Sequence, residues 1–248
     1  MLIACGMLAL VGLRELYVAL SKGDKPVHFV GYLFTVLYFA AIYFFGVGYW
    51  LLIVLTFFII AVQSCLVIFY QKLSLQECMG LVYGFLYVPF LLSFIVLVRE
   101  HYLGQYYIWL VFTAAFGADT FAYLIGTMFG KRKLTNSPSP SKSLEGMIGG
   151  ILGAGLIGLG YGFFMSQFAD PDATEYILIN ATVISFIGAA FSVIGDMAAS
   201  AIKRRSDIKD FGSIFPGHGG VLDRVDSVLI VAPMVYMVMN VMIWLLVY

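Results

Sequence analysis

Residues 203–226 read KRRSDIKDFGSIFPGHGGVLDRVD and separate two long apolar runs, at residues 177–200 and 227–247. This segment carries nine of the 28 charged residues of the chain. Charge is sparse elsewhere, because only 11% of all residues are charged, 62% are hydrophobic and the mean hydropathy is +0.97. Soluble domains have roughly a quarter of their residues charged. The composition therefore excludes a soluble globular domain and indicates a membrane protein.

A bilayer core about 30 Å thick is crossed by roughly 20 apolar residues in a helix. We therefore expect an all-α fold, a polytopic transmembrane helical bundle of about eight spans with two charged cytoplasmic loops. Glycines at small-xxx-small spacing in residues 149–162 favour close helix packing. By function, residues 1–100 are predicted to form a transmembrane scaffold and residues 101–248 a catalytic region. The predicted spans are residues 1–20, 28–46, 49–70, 79–98, 106–125, 147–166, 177–200 and 227–247.

The basic residues favour one orientation of these spans, because short cytoplasmic loops retain positive charge. If alternate connections are cytoplasmic, nearly all loop Lys and Arg residues fall on one side, and Arg99 falls on the other. The two charged loops, residues 126–146 and 201–226, then face the cytoplasm together. The first apolar run follows no basic region, so we expect a retained span and not a cleaved signal peptide.

Among the acids of the predicted catalytic region, Asp119 lies within a predicted span and Asp196 lies near the end of another. A carboxylate in hydrocarbon needs a cation, a partner or a water-filled cavity, unless it reaches the headgroups from the end of its span. Asp223 and Asp226 are three residues apart, a spacing that places both on one face of a helix. We expect all four acids to converge near the cytoplasmic interface. Oxygen ligands without paired Cys or His favour Mg²⁺ or another hard cation there.

Basic residues and glycines are interleaved with these acids. Basic side chains bind phosphate oxygens, and glycines let backbone N–H groups approach a phosphate. Each feature alone has a simpler interpretation, since a polybasic loop commonly sets topology or contacts anionic lipid and a glycine turn is often only a turn. The mixture favours phosphate chemistry, because a loop that only sets topology needs no acids. The residues concerned are Lys203, Arg204, Arg205, Lys209, Arg224 and the turn at residues 216–220.

Residues 200–226, SAIKRRSDIKDFGSIFPGHGGVLDRVD, closely resemble the signature of the phosphatidate cytidylyltransferases, also called CDP-diacylglycerol synthases. That signature is Ser-x-apolar-Lys-Arg, four residues, Lys-Asp, and then Pro-x-His-Gly-Gly-x-x-Asp-Arg-x-Asp. A second stretch, ADTFAYLIGTMFGKRKLTNSPSPSKSLEG at residues 118–146, is similar to the Asp-Thr-x-Ala-Tyr segment of the family and its Ser-Pro loop.

The resemblance implies that phosphatidic acid attacks CTP, which gives CDP-diacylglycerol and pyrophosphate with Mg²⁺; a second cation is left open. The partners it implies are CTP, phosphatidic acid and the bilayer, without nucleic acid, and a homodimer is left open. We expect a bacterial inner membrane, with the active site facing the cytoplasm. The implied metal ligands are Asp196, Asp223, Asp226 and Asp119. The implied catalytic residues are Lys203, Arg204, Lys209, Asp210 and Asp223. The implied substrate contacts are Ser200, His218, Gly219, Gly220, Arg224, Lys142 and Thr120.

Two other functions stay open. A CTP-dependent lipid kinase of the dolichol or phytol type would transfer the γ-phosphoryl group to an alcohol, but the full run from Lys-Asp to His-Gly-Gly argues against it. An ion-coupled transporter would use intramembrane Asp residues, yet the chain has no convincing inverted halves and its acids cluster at one face. A purely structural scaffold would leave the cytoplasmic acids and bases unexplained.

Overall fold

The computed structural model describes residues 1–101, 103–135, 137–168, 171–217 and 219–247. Over these ranges the chain forms nine α-helices and one π-helical turn. The β-type pairing in these ranges is limited to isolated bridges at Lys133–Ser143 and Phe215–Gly219. The predicted all-α class is confirmed. The helices are α1 (Leu2–Ser21), α2 (His28–Phe45), α3 (Tyr49–Ile68), α4 (Leu75–Phe85), α5 (Leu91–Glu100), α6 (Gly104–Phe129), α7 (Leu144–Ser166), α8 (Pro171–Arg205) and α9 (Leu222–Val247).

Within the described ranges, eight helical segments are long and apolar enough to cross a membrane, as the sequence predicts. One of them, Leu75–Glu100, contains α4, α5 and the π-helical turn at Leu86–Phe90. Pro89 lies in that turn, where its missing N–H removes a regular helical hydrogen bond. The lengths and composition of its helices thus identify the protein as a multi-pass membrane protein.

The ends of the last two spans differ from the prediction. Helix α8 has 35 residues, which corresponds to about 52 Å at 1.5 Å per residue, whereas a bilayer core is about 30 Å thick. Helix α9 begins at Leu222, five positions before the predicted span, and Asp223 lies in its first turn. Hydropathy marks only the apolar part of a helix, while a negative charge near the N-terminus stabilises the turns beyond it.

The chain divides into two compact units. Unit 1 contains Met1–Val96 and Lys203–Val225, and unit 2 contains Leu97–Ile202 and Asp226–Tyr248. Most of the charged segment therefore packs with the N-terminal helices, in unit 1. The predicted division at residue 100 concerns function and stays a prediction.

In unit 1 the helices α1, α2 and α4 meet around Tyr17. Its ring is buried, and its hydroxyl donates a hydrogen bond to the Leu81 carbonyl oxygen at 2.8 Å. Gly31 and Gly84 lie against the ring, where an added Cβ would overlap it. Since interiors are close-packed, these glycines allow the helices to approach and hold α1 in a fixed place.

In unit 2 the helices α6 and α7 pack closely along their glycines. A Cβ at Gly150 would lie 2.6 Å from the Ala118 carbonyl oxygen, and one at Gly146 would lie 2.7 Å from that of Ala122. Small residues at such positions let two backbones approach in a membrane. This packing places the end of α6 beside the start of α7, where the polar residues of unit 2 lie.

Candidate active site

Asp223, in the first turn of α9, is surrounded by hydrogen-bond donors of unit 1. Its Oδ1 accepts from Lys203 Nζ at 2.9 Å, and its Oδ2 accepts from the backbone N–H groups of Phe211 at 2.8 Å and Gly220 at 2.9 Å. The Asp223 side chain is only 5% exposed and that of Lys203 is 16% exposed. A buried carboxylate must replace its lost hydration, and these three donors do so. The structure thus brings Lys203 and Asp223 together.

The signature loop, which we define as residues 206–221, joins α8 to α9 and contains two glycines in left-handed conformation. Gly217 has φ +74° and Gly219 has φ +81°, a region that favours glycine because it lacks Cβ. The Phe215 N–H donates to the Gly219 carbonyl oxygen at 3.0 Å. A Cβ at Gly219 would also lie 2.9 Å from Asp223 Oδ2. Both backbone conformation and space therefore require glycine at position 219.

Glu15 of α1 contacts the start of α9 and was missed by the sequence analysis. Its carboxylate accepts the N–H groups of Val221 at 3.0 Å and Leu222 at 2.8 Å. Gly212 and Gly220 lie against the same carboxylate, where an added Cβ would overlap it. The signal that could have identified Glu15 is an acid within an apolar span. Its partner could not be identified from the sequence.

A cavity of about 450 Å³ in unit 2 is lined by Asp119, Lys142 and Asp196, together with apolar, glycine and hydroxyl-bearing residues of α6, α7, α8 and the loop before α7. Lys142 and Asp196 form an ion pair in this cavity. A volume of this order can admit a phosphate-bearing headgroup or part of a nucleotide. Apolar walls also strengthen electrostatic interactions with a charged ligand.

Two of the predicted acids of unit 2, Asp119 and Asp226, accept hydrogen bonds from Ser227. The Ser227 hydroxyl donates to Asp119 Oδ2 at 3.2 Å, and the Ser227 N–H donates to Asp226 Oδ1 at 2.8 Å. Gly195, the neighbour of Asp196 on α8, packs so closely that a Cβ would lie 2.9 Å from the Asp226 carbonyl oxygen. Three of the four predicted acids thus occupy one region of unit 2.

The other predicted site residues are more dispersed. Ser200 lies one turn after Asp196 on α8, and Thr120 donates its hydroxyl to the Phe116 carbonyl oxygen and lines a separate groove with Phe121 and Ile157. Gly220 donates its N–H to Asp223. His218 lies outside the described residues. The exposed residues among these are Thr120, Arg204, Lys209, Asp210 and Arg224.

The described residues include no group of three His, Cys, Asp or Glu side chains that could hold a metal ion by themselves. Asp119 and Asp196 nevertheless line one cavity, and Mg²⁺ commonly binds through one or two carboxylates, several waters and a substrate phosphate. The donor set of the cavity therefore fits a hard cation that enters with a phosphate. At Asp223, Oδ1 accepts from Lys203 and Oδ2 accepts from two backbone N–H groups, so a cation there would share the carboxylate with these donors or replace one of them.

The chain is similar to several curated bacterial proteins named phosphatidate cytidylyltransferase. The phosphatidate cytidylyltransferase of Haemophilus influenzae is 37% identical over 153 residues, which are 59% of this chain and 51% of that protein. The enzyme of that name from Thermotoga maritima is 36% identical over 159 residues, 63% of this chain and 57% of that protein. The one from Staphylococcus aureus strain COL is 40% identical over 131 residues, which are 53% of this chain and 48% of that protein.

The chain spans about half the length of these curated relatives. The model of the cytidylyltransferase family, in contrast, matches residues 1–242, a range that contains the cavity of unit 2, the signature loop and Glu15. On the strength of this match over nearly its whole length, the chain belongs to the cytidylyltransferase family.

Proposed function

We propose that this protein transfers the cytidylyl group of CTP to phosphatidic acid, giving CDP-diacylglycerol and pyrophosphate for phospholipid biosynthesis. Its relatives named phosphatidate cytidylyltransferase support this assignment. The observation that carries it is the cavity of unit 2, where Asp119, Lys142 and Asp196 face a largely apolar space between helices long enough to span a membrane. With a divalent cation at its two carboxylates, such a cavity would suit a ligand with an anionic head and an apolar body.

In the proposed reaction, an oxygen of the phosphatidate phosphate attacks the α-phosphorus of CTP. The bond between that phosphorus and the oxygen bridging to the β-phosphate breaks, and the oxygen leaves with pyrophosphate. Both reactants are anions, and two unit charges about 4 Å apart interact by roughly 4 kcal/mol at an effective dielectric near 20. Lowering the activation free energy by about 1.4 kcal/mol raises the rate about tenfold. Positive charge beside the phosphates is therefore the main requirement, and no covalent enzyme intermediate is required.

The residues of unit 2 would act on a phosphate in the cavity. The Asp196 carboxylate holds the Lys142 ammonium in place. A phosphate that enters the cavity would become a second anionic partner of this ammonium. Asp119 and Asp196 would hold Mg²⁺, with Asp226 as a further candidate. When bound, the cation would offset the negative charge of the reacting phosphates.

The residues of unit 1 would act on the triphosphate. Asp223 fixes the Lys203 ammonium at 2.9 Å, and the exposed side chains of Arg204, Lys209 and Arg224 would reach phosphate oxygens in solvent. Gly219 and Gly220 would allow the backbone to approach the ligand, while Asp210 and His218 would orient the signature loop. In the predicted metal role of Asp223, the cation would share the carboxylate with its present donors or replace one of them.

We assign the protein to the bacterial inner membrane, with its active site facing the cytoplasm. The basic loops support this orientation through the positive-inside rule, and the curated relatives are bacterial. The acyl chains of phosphatidic acid would stay among the spans while the phosphate reaches the polar cavity.

The test is product analysis with the purified full chain in lipid micelles containing Mg²⁺. With CTP and phosphatidic acid we expect release of pyrophosphate and formation of a cytidine-containing lipid. Release of CDP, together with phosphorylation of an added polyprenol, would instead identify a lipid kinase. Solute transport in proteoliposomes without turnover of CTP would identify a transporter.

A further inference from the structure

Glu15 is a buried acid in an apolar helix. It is 8% exposed, and within the described part of the chain it has no ion-pair partner. Its described partners are the N–H groups of Val221 and Leu222. A buried ionisable residue within an apolar helix is expensive and usually serves a function, so these contacts require an explanation beyond packing.

The two N–H groups belong to the start of α9, where a helix leaves its first amides unpaired. Glu15 accepts both of them, and its negative charge is favourable at the positive end of the helix dipole. The contact joins residues 206 positions apart in the sequence. A side chain of α1 therefore accepts the first amides of α9.

Asp223 follows Leu222 directly and depends on this anchor. The Asp223 carboxylate binds Lys203 and the backbone of Phe211 and Gly220. Glu15 binds the backbone of the two residues between Gly220 and Asp223. Gly212 and Gly220 leave space for the Glu15 carboxylate. The two buried carboxylates thus hold the signature loop at residues 211 and 220–222.

We propose that Glu15 is a positioning residue for the signature loop. It fixes the first turn of α9, and with that turn the Asp223 carboxylate and the Lys203 ammonium. The inference rests on the proposed function, in which this loop binds the phosphates of CTP. Glu15 acts through Asp223 and Lys203 and does not touch the substrate.

Hydrogen exchange of the full chain in micelles tests the contact without any catalysis. Replacing Glu15 by Ala removes the acceptor of two amides, so exchange in peptides covering residues 212–222 should become roughly tenfold faster. Peptides from α6 and α7 should not change. Glu15→Gln should have a smaller effect, because Gln keeps one of the two accepting oxygens and has an NH2 group in place of the other. The control is Glu100→Ala, which removes an exposed acid at the end of α5.

Steady-state kinetics separates positioning from a loss of folded protein. A variant that only folded less well would have a lower maximal rate and an unchanged KM for CTP. We expect Glu15→Ala to raise the KM for CTP roughly tenfold, because the groups that bind phosphate are displaced. Glu15→Gln should raise it less, and Glu100→Ala should leave it unchanged.

Gly212 provides a geometric test, because a methyl group there would overlap the Glu15 carboxylate. Gly212→Ala should raise the KM for CTP in the native background and have little further effect in Glu15→Ala, so the two changes are not additive. Equal effects of Gly212→Ala in both backgrounds, or unchanged exchange in Glu15→Ala, would overturn the inference. If the native protein transferred no cytidylyl group, the proposed function and the role toward CTP would fall together, while faster exchange would still report the contact.

Discussion

Lys142, in the loop before α7, forms an ion pair with Asp196 of α8, and both side chains line the cavity of unit 2. They are largely shielded from solvent, with 29% and 21% of their side chains exposed. Such pairs add little net stability, because desolvation offsets their attraction. Their value here is positional, since the pair holds a cation and an anion at the wall of a cavity suited to phosphate and Mg²⁺.

Asp196→Ala should abolish cytidylyl transfer, with a loss of at least about a hundredfold, because the cavity loses a proposed cation ligand and the partner of Lys142. Activity is measured by cytidylyl transfer to phosphatidic acid, and folding by elution of a single monodisperse species in detergent. The matched control is Asp207→Asn, which alters an exposed acid in a surface pair with Lys22 at 3.7 Å and should leave activity unchanged. Near-normal turnover of Asp196→Ala would refute the metal assignment.

Lys142→Met should lower kcat/KM for phosphatidic acid by roughly ten- to a hundredfold, because the cavity loses its positive charge and keeps its carboxylates. The measurement is initial rate against phosphatidic acid at saturating CTP. Lys133→Met is the control, since Lys133 is an exposed basic residue of the same loop. Equal losses in the two variants would show that the loop acts only through its overall charge.

Asp223→Asn should reduce both activity and stability, because it leaves the Lys203 ammonium and two backbone amides without a carboxylate. Breaking such a buried pair costs about 3 kcal/mol, which a thermal unfolding series in detergent can measure. Adding Lys203→Met should recover part of the stability and none of the activity. Recovery of activity in the double variant would contradict a catalytic role for Lys203.

Gly219→Ala and Gly217→Ala separate backbone strain from contact with Asp223. Both glycines have positive φ, so each substitution should cost roughly 1–2 kcal/mol of stability. Only at position 219 does the added Cβ meet Asp223; position 217 is open. We therefore expect similar losses of stability and a much larger loss of activity in Gly219→Ala. Equal activities of the two variants would contradict the proposed role of the Asp223 contacts.

The spans could be predicted because the cost of exposing polar groups to hydrocarbon controls composition over about 20 residues. The same signal could not give the full length of α8 or the start of α9, since polar turns outside the bilayer carry no hydropathy signal. Helix α8 continues to Arg205 and α9 begins at Leu222, so both extend into the charged segment.

At the site, the sequence gives residue types and not partners. Asp119, Asp196 and Asp223 could be selected because acids are rare in an apolar chain, but the pairing of Lys142 with Asp196 and of Lys203 with Asp223 depends on tertiary packing. Glu15 has the same sequence signal as Asp119. Its role depends on a contact 206 residues away, which no local pattern contains.

The most direct test of the central claim is incorporation of label from α-phosphorus-labelled CTP into the lipid extract of the purified protein. We expect incorporation that requires both phosphatidic acid and Mg²⁺, that equals the pyrophosphate released, and that disappears in Asp196→Ala. Labelled lipid formed without phosphatidic acid, or no labelled lipid from native protein supplied with both substrates and Mg²⁺, would contradict the account.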